Sequence, residues 1–145
     1  MKPKHVAGNQ VGIPESDYLY VQQSQLPDSG RGLFTAVTLF KDEEITVFRG
    51  EVITETQIAE RVSAKQDQYF ISLLNGRILD CYHTECFAKY ANDASGSVPS
   101  GFTNNAKIII NEKNEVCLVA VKKIRAGEEI FCGYGKRYWA KHVIS

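Results

Sequence analysis

Apolar residues in this chain come in short runs, each soon ended by glycine, proline, asparagine or aspartate, and only one stretch repeats them at helical spacing. Strands of roughly four to eight residues joined by turns fit such runs, and long helices do not. The expectation is a mainly β fold with short helices.

The runs can be placed one by one. "YLYVQQS" (18–24) and "LFTAVTLF" (33–40) carry β-branched and aromatic residues on either side of the turn sequence "PDSGRG". "EEITVFRGEVI" (43–53) reads as a strand pair or one bent strand, with Gly50 marking a bulge or a close backbone approach. In "TETQIAERVSAK" (54–65), Thr54 and Gln57 have capping-box spacing and Ile58 and Val62 share a helical face. Asn75 and Gly76 between apolar runs predict a hairpin closed by a type I′ turn. A second hairpin around "KNE" (113–115) joins strands whose consecutive apolar residues, Ile108 to Ile110 and Val119 to Val121, predict burial on both faces. "TECFAKYA" (84–91) is a short helical candidate, and "SGSVPSG" (95–101) reads as an exposed, mobile loop.

At 145 residues the chain is sized for one core. Residues 1–17, with Pro3, Gly8, Gly12 and Pro14, read as a flexible N-terminal segment. Seventeen basic and seventeen acidic side chains cancel, so no net field holds a phosphate backbone, and direct nucleic-acid binding is not expected. The basic run Lys122, Lys123 and Arg125 reads as a solvated face. Cys81, Cys86, Cys117 and Cys132 contain no CxxC pair, which argues for reduced, mostly buried thiols and against a zinc or redox motif. No stretch has membrane-spanning length or signal-peptide character, and an intracellular protein is expected.

Four pieces taken together carry chemistry: "GRG" (30–32), "FRGEVI" (48–53), "KYANDA" (89–94) and "GEEIFCGYGKRYW" (127–139). In this order the chain resembles the SET-domain protein lysine methyltransferases from about Tyr18 to Trp139, and its closing segment is most similar to the minimal virus-type members. The resemblance implies a β-clip-like fold of small sheets around a knot-like core over residues 18–139, with 140–145 as a C-terminal tail. It also implies S-adenosyl-L-methionine as the cofactor and no metal.

By the same resemblance, Arg31, Gly32 and Leu33 bring backbone amides against the methionine part of the cofactor. Asn92 lies beside its ammonium group, Asp93 contacts adenine through backbone, and Trp139 adds a cofactor contact. Tyr134 is the expected catalytic residue, its hydroxyl beside the transferred methyl; Phe48, Tyr69 and Trp139 are channel walls, and Cys132 sets the room for methyl groups. Asp93 stands where relatives carry histidine, Gly133 where they carry an acid, and Asn105 or Asn104 takes the place of a second motif asparagine. The implied partner is a lysine-containing protein, with histone tails the common substrate class and a nuclear location following from it. Non-histone targets in the cytoplasm, a homodimer, and a SET-like peptide-binding module without catalysis are the alternatives.

Overall fold

A computed structural model describes residues 13–73, 76–95 and 101–133. Among the described residues, nine strands and one α-helix follow in order: β1 (Leu19–Gln23), β2 (Arg31–Thr35), β3 (Glu44–Val47), β4 (Glu51–Ile53), α1 (Glu55–Ser63), β5 (Phe70–Ser72), β6 (Ile78–Asp80), β7 (Ala106–Ile110), β8 (Val116–Ala120) and β9 (Glu129–Ile130). They make three antiparallel three-stranded sheets, β1-β2-β9, β3-β8-β7 and β4-β6-β5. Short 3-10 turns at Glu15–Asp17 and Ala88–Tyr90 complete the framework. The mainly β expectation holds.

Leu19, Leu33, Leu39, Ile45, Ile71, Ile108, Leu118, Ile124 and Ile130, drawn from all parts of the described chain, meet in one core. Each such side chain removed from water contributes about 1.5–3 kcal/mol. Strand β8 is buried along its whole length, as its apolar run predicts, because it is the middle strand of its sheet. Strand β7 departs from the same expectation. It is an edge strand, Lys107 is exposed, and Ile109 and Ile110 are only partly buried.

The "EEITVFRGEVI" stretch becomes two strands that do not pair with each other, since β3 joins β8 and β4 joins β6. Gly50 sits at the switch between the two sheets, where a Cβ would strike the backbone of Asp80, so the expected close approach is real. The first hairpin forms between β5 and β6, but Leu73 N donates to Arg77 O and Gly76 N donates to Leu73 O. The connection is therefore one residue longer than a two-residue type I′ turn on Asn75 and Gly76.

Helix α1 starts on the predicted capping box: Gln57 N donates to the Thr54 hydroxyl at 3.2 Å, and Thr54 N donates to Gln57 Oε1 at 2.9 Å. Ile58 packs on Ile53, Phe70 and Ile78, whereas Val62, expected on the same face, is 43% exposed. The helix buries none of its residues fully. What docks it is Arg61, which donates to Asp80 at 2.7 Å and to Glu51 at 3.1 Å.

Late chain is flanked by two earlier segments. Phe131 bridges Asn92, and Cys132 bridges Ala106, both in parallel sense. Cys132 N donates to Asn92 O at 2.8 Å, and Asn105 N and Ala106 N donate to Phe131 O. These bridges bring Asn92 beside Phe131 and Cys132.

Candidate active site

The "GRG" piece does two different jobs. Gly30, at φ +64°, closes the β1–β2 turn, while Gly32 lies in β2 opposite Gln22. A Cβ on Gly32 would collide with the carboxylate of Glu129 and press on the backbone of Ser24. Glu129 is buried, and it accepts hydrogen bonds from Ser24 Oγ at 2.7 Å and Gln25 N at 2.8 Å. The absent side chain therefore makes room for a buried acid as well as keeping the strand backbone open.

Asn92 follows the 3-10 turn Ala88–Tyr90 and donates its Nδ2 to Arg31 O at 2.9 Å. One bond thus ties the third sequence piece to the first. Asn92 Oδ1 has no partner among the described residues and remains an acceptor. Asp93 turns its carboxylate to its own loop, accepting from Ser95 N, Ser95 Oγ and Asn104 Nδ2. The Asp93 carboxylate is thereby engaged with neighbouring donors.

The two candidate second asparagines divide the work. Asn105 is buried, donates to Glu129 O at 3.0 Å and accepts from Phe131 N at 2.8 Å. Asn104 accepts from Ala94 N and steadies the Asp93 loop.

Between these segments opens a cleft of about 430 Å³ lined by Arg31, Tyr69, Lys89, Tyr90, Asn92 and Asp93, with Ser29, Gly30, Gln68 and Ala91 completing its walls. Of the predicted cofactor residues, Arg31, Asn92 and Asp93 line it, and the predicted wall Tyr69 joins them. Leu33 is fully buried in the core, so its side chain is packing. Phe48 lies elsewhere: it is buried and borders a second cavity of about 650 Å³ with Val52, Leu79 and Ile110. Cys132 is fully buried in the core next to Asn92. Tyr134 and Trp139 lie outside the described residues.

Lys89 and Tyr90 were not singled out by sequence reasoning, although both stand in "KYANDA" immediately before Asn92. Lys89 is 8% exposed. Its Nζ donates to the carbonyls of Thr84, Tyr82 and Cys81 at 3.0, 3.3 and 3.5 Å, lies 3.8 Å from Glu85, and sits 5.5 Å and 5.6 Å from the ring centres of Tyr69 and Tyr90. Three carbonyl acceptors match the three N–H groups of an ammonium, and the aromatic faces suit a cation. Tyr90 donates its hydroxyl to Glu85 at 2.9 Å. Burial pushes the Tyr69 phenol above its ordinary value of 10.0, with nearby Tyr82 acting the same way. Tyr90 is raised as well, first by burial and then by its bond to Glu85. Both phenols stay neutral at physiological pH.

The model of the SET domain family matches residues 30–135 of this sequence. The chain belongs to the SET domain family. Among curated proteins this SET chain is similar to the histone-lysine N-methyltransferase EZH2 of Chaetomium thermophilum, at 27% identity over 126 residues, covering 80% of this chain and 8% of that protein. Among solved structures it is similar to the Polycomb Repressive Complex 2 of that fungus in an autoinhibited conformation bound to S-adenosylmethionine, with TM-score 0.66, 27% identity, and coverage of 81% of this chain and 15% of that one. A humanized mutant of the same complex bound to the inhibitor GSK343 gives TM-score 0.67 at 28% identity, again over 81% of this chain and 15% of that one. This SET chain thus spans a small part of the proteins it matches.

Proposed function

We propose that this SET domain is an S-adenosylmethionine-dependent protein lysine N-methyltransferase acting on histone tails. The observation that carries the reading is the gathering of Arg31, Tyr69 and the pair Asn92 and Asp93, from three separate stretches of the sequence, around one cleft. The donor set suits the cofactor: the free Asn92 Oδ1 can accept from its ammonium group, the Arg31 guanidinium can meet its carboxylate, and the rings of Tyr69 and Tyr90 offer apolar surface. When bound, S-adenosylmethionine supplies a methyl group activated by positively charged sulfur.

The chain's own part is to present an uncharged amine. A free lysine has a pKa of about 10.4 and is protonated at neutral pH. Desolvation in the cleft beside Tyr69 disfavours the ammonium form. We assign Tyr134 the directing role: its hydroxyl orients the amine and stabilises charge as it shifts during transfer. Holding amine and methyl in line supplies a further share of the rate, about 7–11 kcal/mol at the upper end of measured effective molarities.

EZH2 is named for histone-lysine methylation and belongs to the Polycomb Repressive Complex 2, which supports a chromatin protein as substrate and a nuclear site of action. A second copy of this chain completing the channel is the alternative arrangement for the partner side. The test is incubation with methyl-labelled cofactor and a panel of histones and cell-extract proteins. Label transferred to lysine, reduced at least about tenfold by Tyr134→Phe, supports the assignment. Absence of cofactor affinity by calorimetry would overturn it in favour of a peptide-binding module.

A further inference from the structure

Lys122, Lys123 and Arg125 stand on the connection from β8 to β9, and taken as a run they read as a solvated face. In the fold all three are exposed and line one groove of about 420 Å³, together with Gln25, Phe102 and Thr103. The groove shares no residue with the cleft around Asn92.

Two acids also belong to it, and both carboxylates are engaged. Glu129 is buried and accepts from Ser24 Oγ and Gln25 N. Glu128 is exposed and accepts from Arg125 N at 2.7 Å, in the turn that enters β9. No ion pair joins Lys122, Lys123 or Arg125 to a carboxylate among the described residues. Lys122 Nζ donates instead to Thr103 Oγ1 at 3.0 Å, and Lys123 Nζ lies 5.8 Å from the centre of the Phe40 ring. Three exposed cations against one exposed acid leave a local positive excess, which the zero net charge of the whole chain conceals.

An aromatic ring stands at either end of these cations. Phe102 is 38% exposed, and its ring rests against buried Phe131, with centres 5.2 Å apart and planes tilted by 40°. Phe40 is 44% exposed and follows Leu39, whose bridge to Ile124 keeps it beside Lys123. An acidic peptide would answer the cations but has no need of the rings. A polynucleotide strand answers both, since its phosphates take the cations and every base has a π face to lay on an aromatic side chain.

We propose that this groove binds single-stranded nucleic acid, with phosphates on Lys122, Lys123 and Arg125 and a base stacked on Phe102. The cofactor cleft stays open in such a complex, because the two sites have no residue in common.

The test is fluorescence anisotropy of a labelled oligothymidylate of about twelve nucleotides, titrated with the full chain over a series of salt concentrations. Three phosphate contacts on a single strand predict a slope of about −2 for the logarithm of affinity against that of salt. Lys122→Gln with Lys123→Gln should weaken binding and flatten the slope to about −0.7, one contact remaining. Phe102→Ala should weaken binding about tenfold and leave the slope where it was, since stacking releases no counterions. If Phe102→Ala fails to fold, Phe102→Leu keeps an apolar contact on Phe131, removes the ring, and carries the same expectation. Absence of binding at low salt, unchanged affinity in the lysine pair or in the folded Phe102 variant, or displacement of the strand by polyglutamate as readily as by unlabelled oligothymidylate overturns the proposal. No readout here uses S-adenosylmethionine, so the failure of this proposal and that of the transferase reading are told apart.

Discussion

The carboxylate of Glu129 occupies the volume that a side chain on residue 32 would need. Strand β9 thus reaches across β2 with a buried acid, held by Ser24 and Gln25 from the end of β1. Gly32→Ala forces that carboxylate off its donors. The expected cost is about 2–4 kcal/mol in urea unfolding, from overpacking and broken charge-assisted hydrogen bonds. Adding Glu129→Ala removes the collision, so the double variant should lose less than the two single losses combined. Strict additivity would mean that Gly32 is kept for the ligand alone.

Asn92 is expected to separate affinity from folding. Asn92→Ala removes one hydrogen bond to Arg31 O, about 1 kcal/mol of stability. Its effect on S-adenosylhomocysteine affinity should be about tenfold or more, because the proposed acceptor for the ammonium goes with it. Asn92→Asp sets a carboxylate against the Arg31 carbonyl and should lower stability further. Calorimetry and thermal unfolding on the same samples check both, and equal cofactor affinity in wild type and Asn92→Ala would remove this residue from the site.

Helix α1 should depend on one guanidinium. The Asp80 side chain is fully buried, accepts from Arg61, and also receives the Tyr82 N–H at 2.9 Å. Its bond to Asp80, then that to Glu51, hold the Arg61 guanidinium above its ordinary value. Arg61→Ala strands a buried carboxylate and releases a helix that has little apolar anchorage. Stability should fall in the order Glu51→Gln, then Arg61→Ala, with amide protection of α1 lost before that of β8. Equal effects of the two substitutions would place the anchor at the exposed pair instead.

What could be read from the sequence alone was whatever its neighbours in sequence determine. The α1 capping box needs only Thr54 and Gln57, and the turn residues of the first hairpin announced it although its length came out one residue greater. The burial of β8 and the half-exposure of β7 come from one apolar pattern. Only strand order separates them, and strand order is a long-range property. The same limit governs the site. Arg31, Asn92 and Asp93 were found through short motifs, yet the bond that unites Asn92 with Arg31 spans 61 residues. Lys89 had no polarity signal, since a lysine in a short turn ordinarily faces water; its carbonyl acceptors on Cys81, Tyr82 and Thr84 come together only because 84–87, read as helical, is not helix in the fold. Phe48 borders the other cavity with Leu79 and Ile110, residues brought to it from elsewhere in the chain.

Stability should change with pH in two windows of opposite sign. Cys132, Cys117 and Cys81 are all held above the ordinary thiol value of 9.0 in the folded chain, chiefly by burial for the first two and by the bond to Cys86 for the third. Their contribution is fully present below pH 9, where both folded and unfolded thiols keep their protons, and it is lost as pH rises further because only the unfolded chain releases them. Tyr69 adds to the loss once pH passes its ordinary 10.0. Cys86 works the other way. Its thiol is lowered to about 6, so its contribution is present above pH 9 and is lost as pH falls toward 6, where the folded thiolate takes up a proton. Urea unfolding of the reduced chain should therefore show stability rising from pH 6 to 9 and falling beyond. Cys86→Ser should flatten the rising limb, and Cys132→Ser should shallow the falling one by about 1 kcal/mol per pH unit, close to the limit for a single proton. A falling limb unchanged in Cys132→Ser would show that this thiol ionises as readily inside the core as outside it.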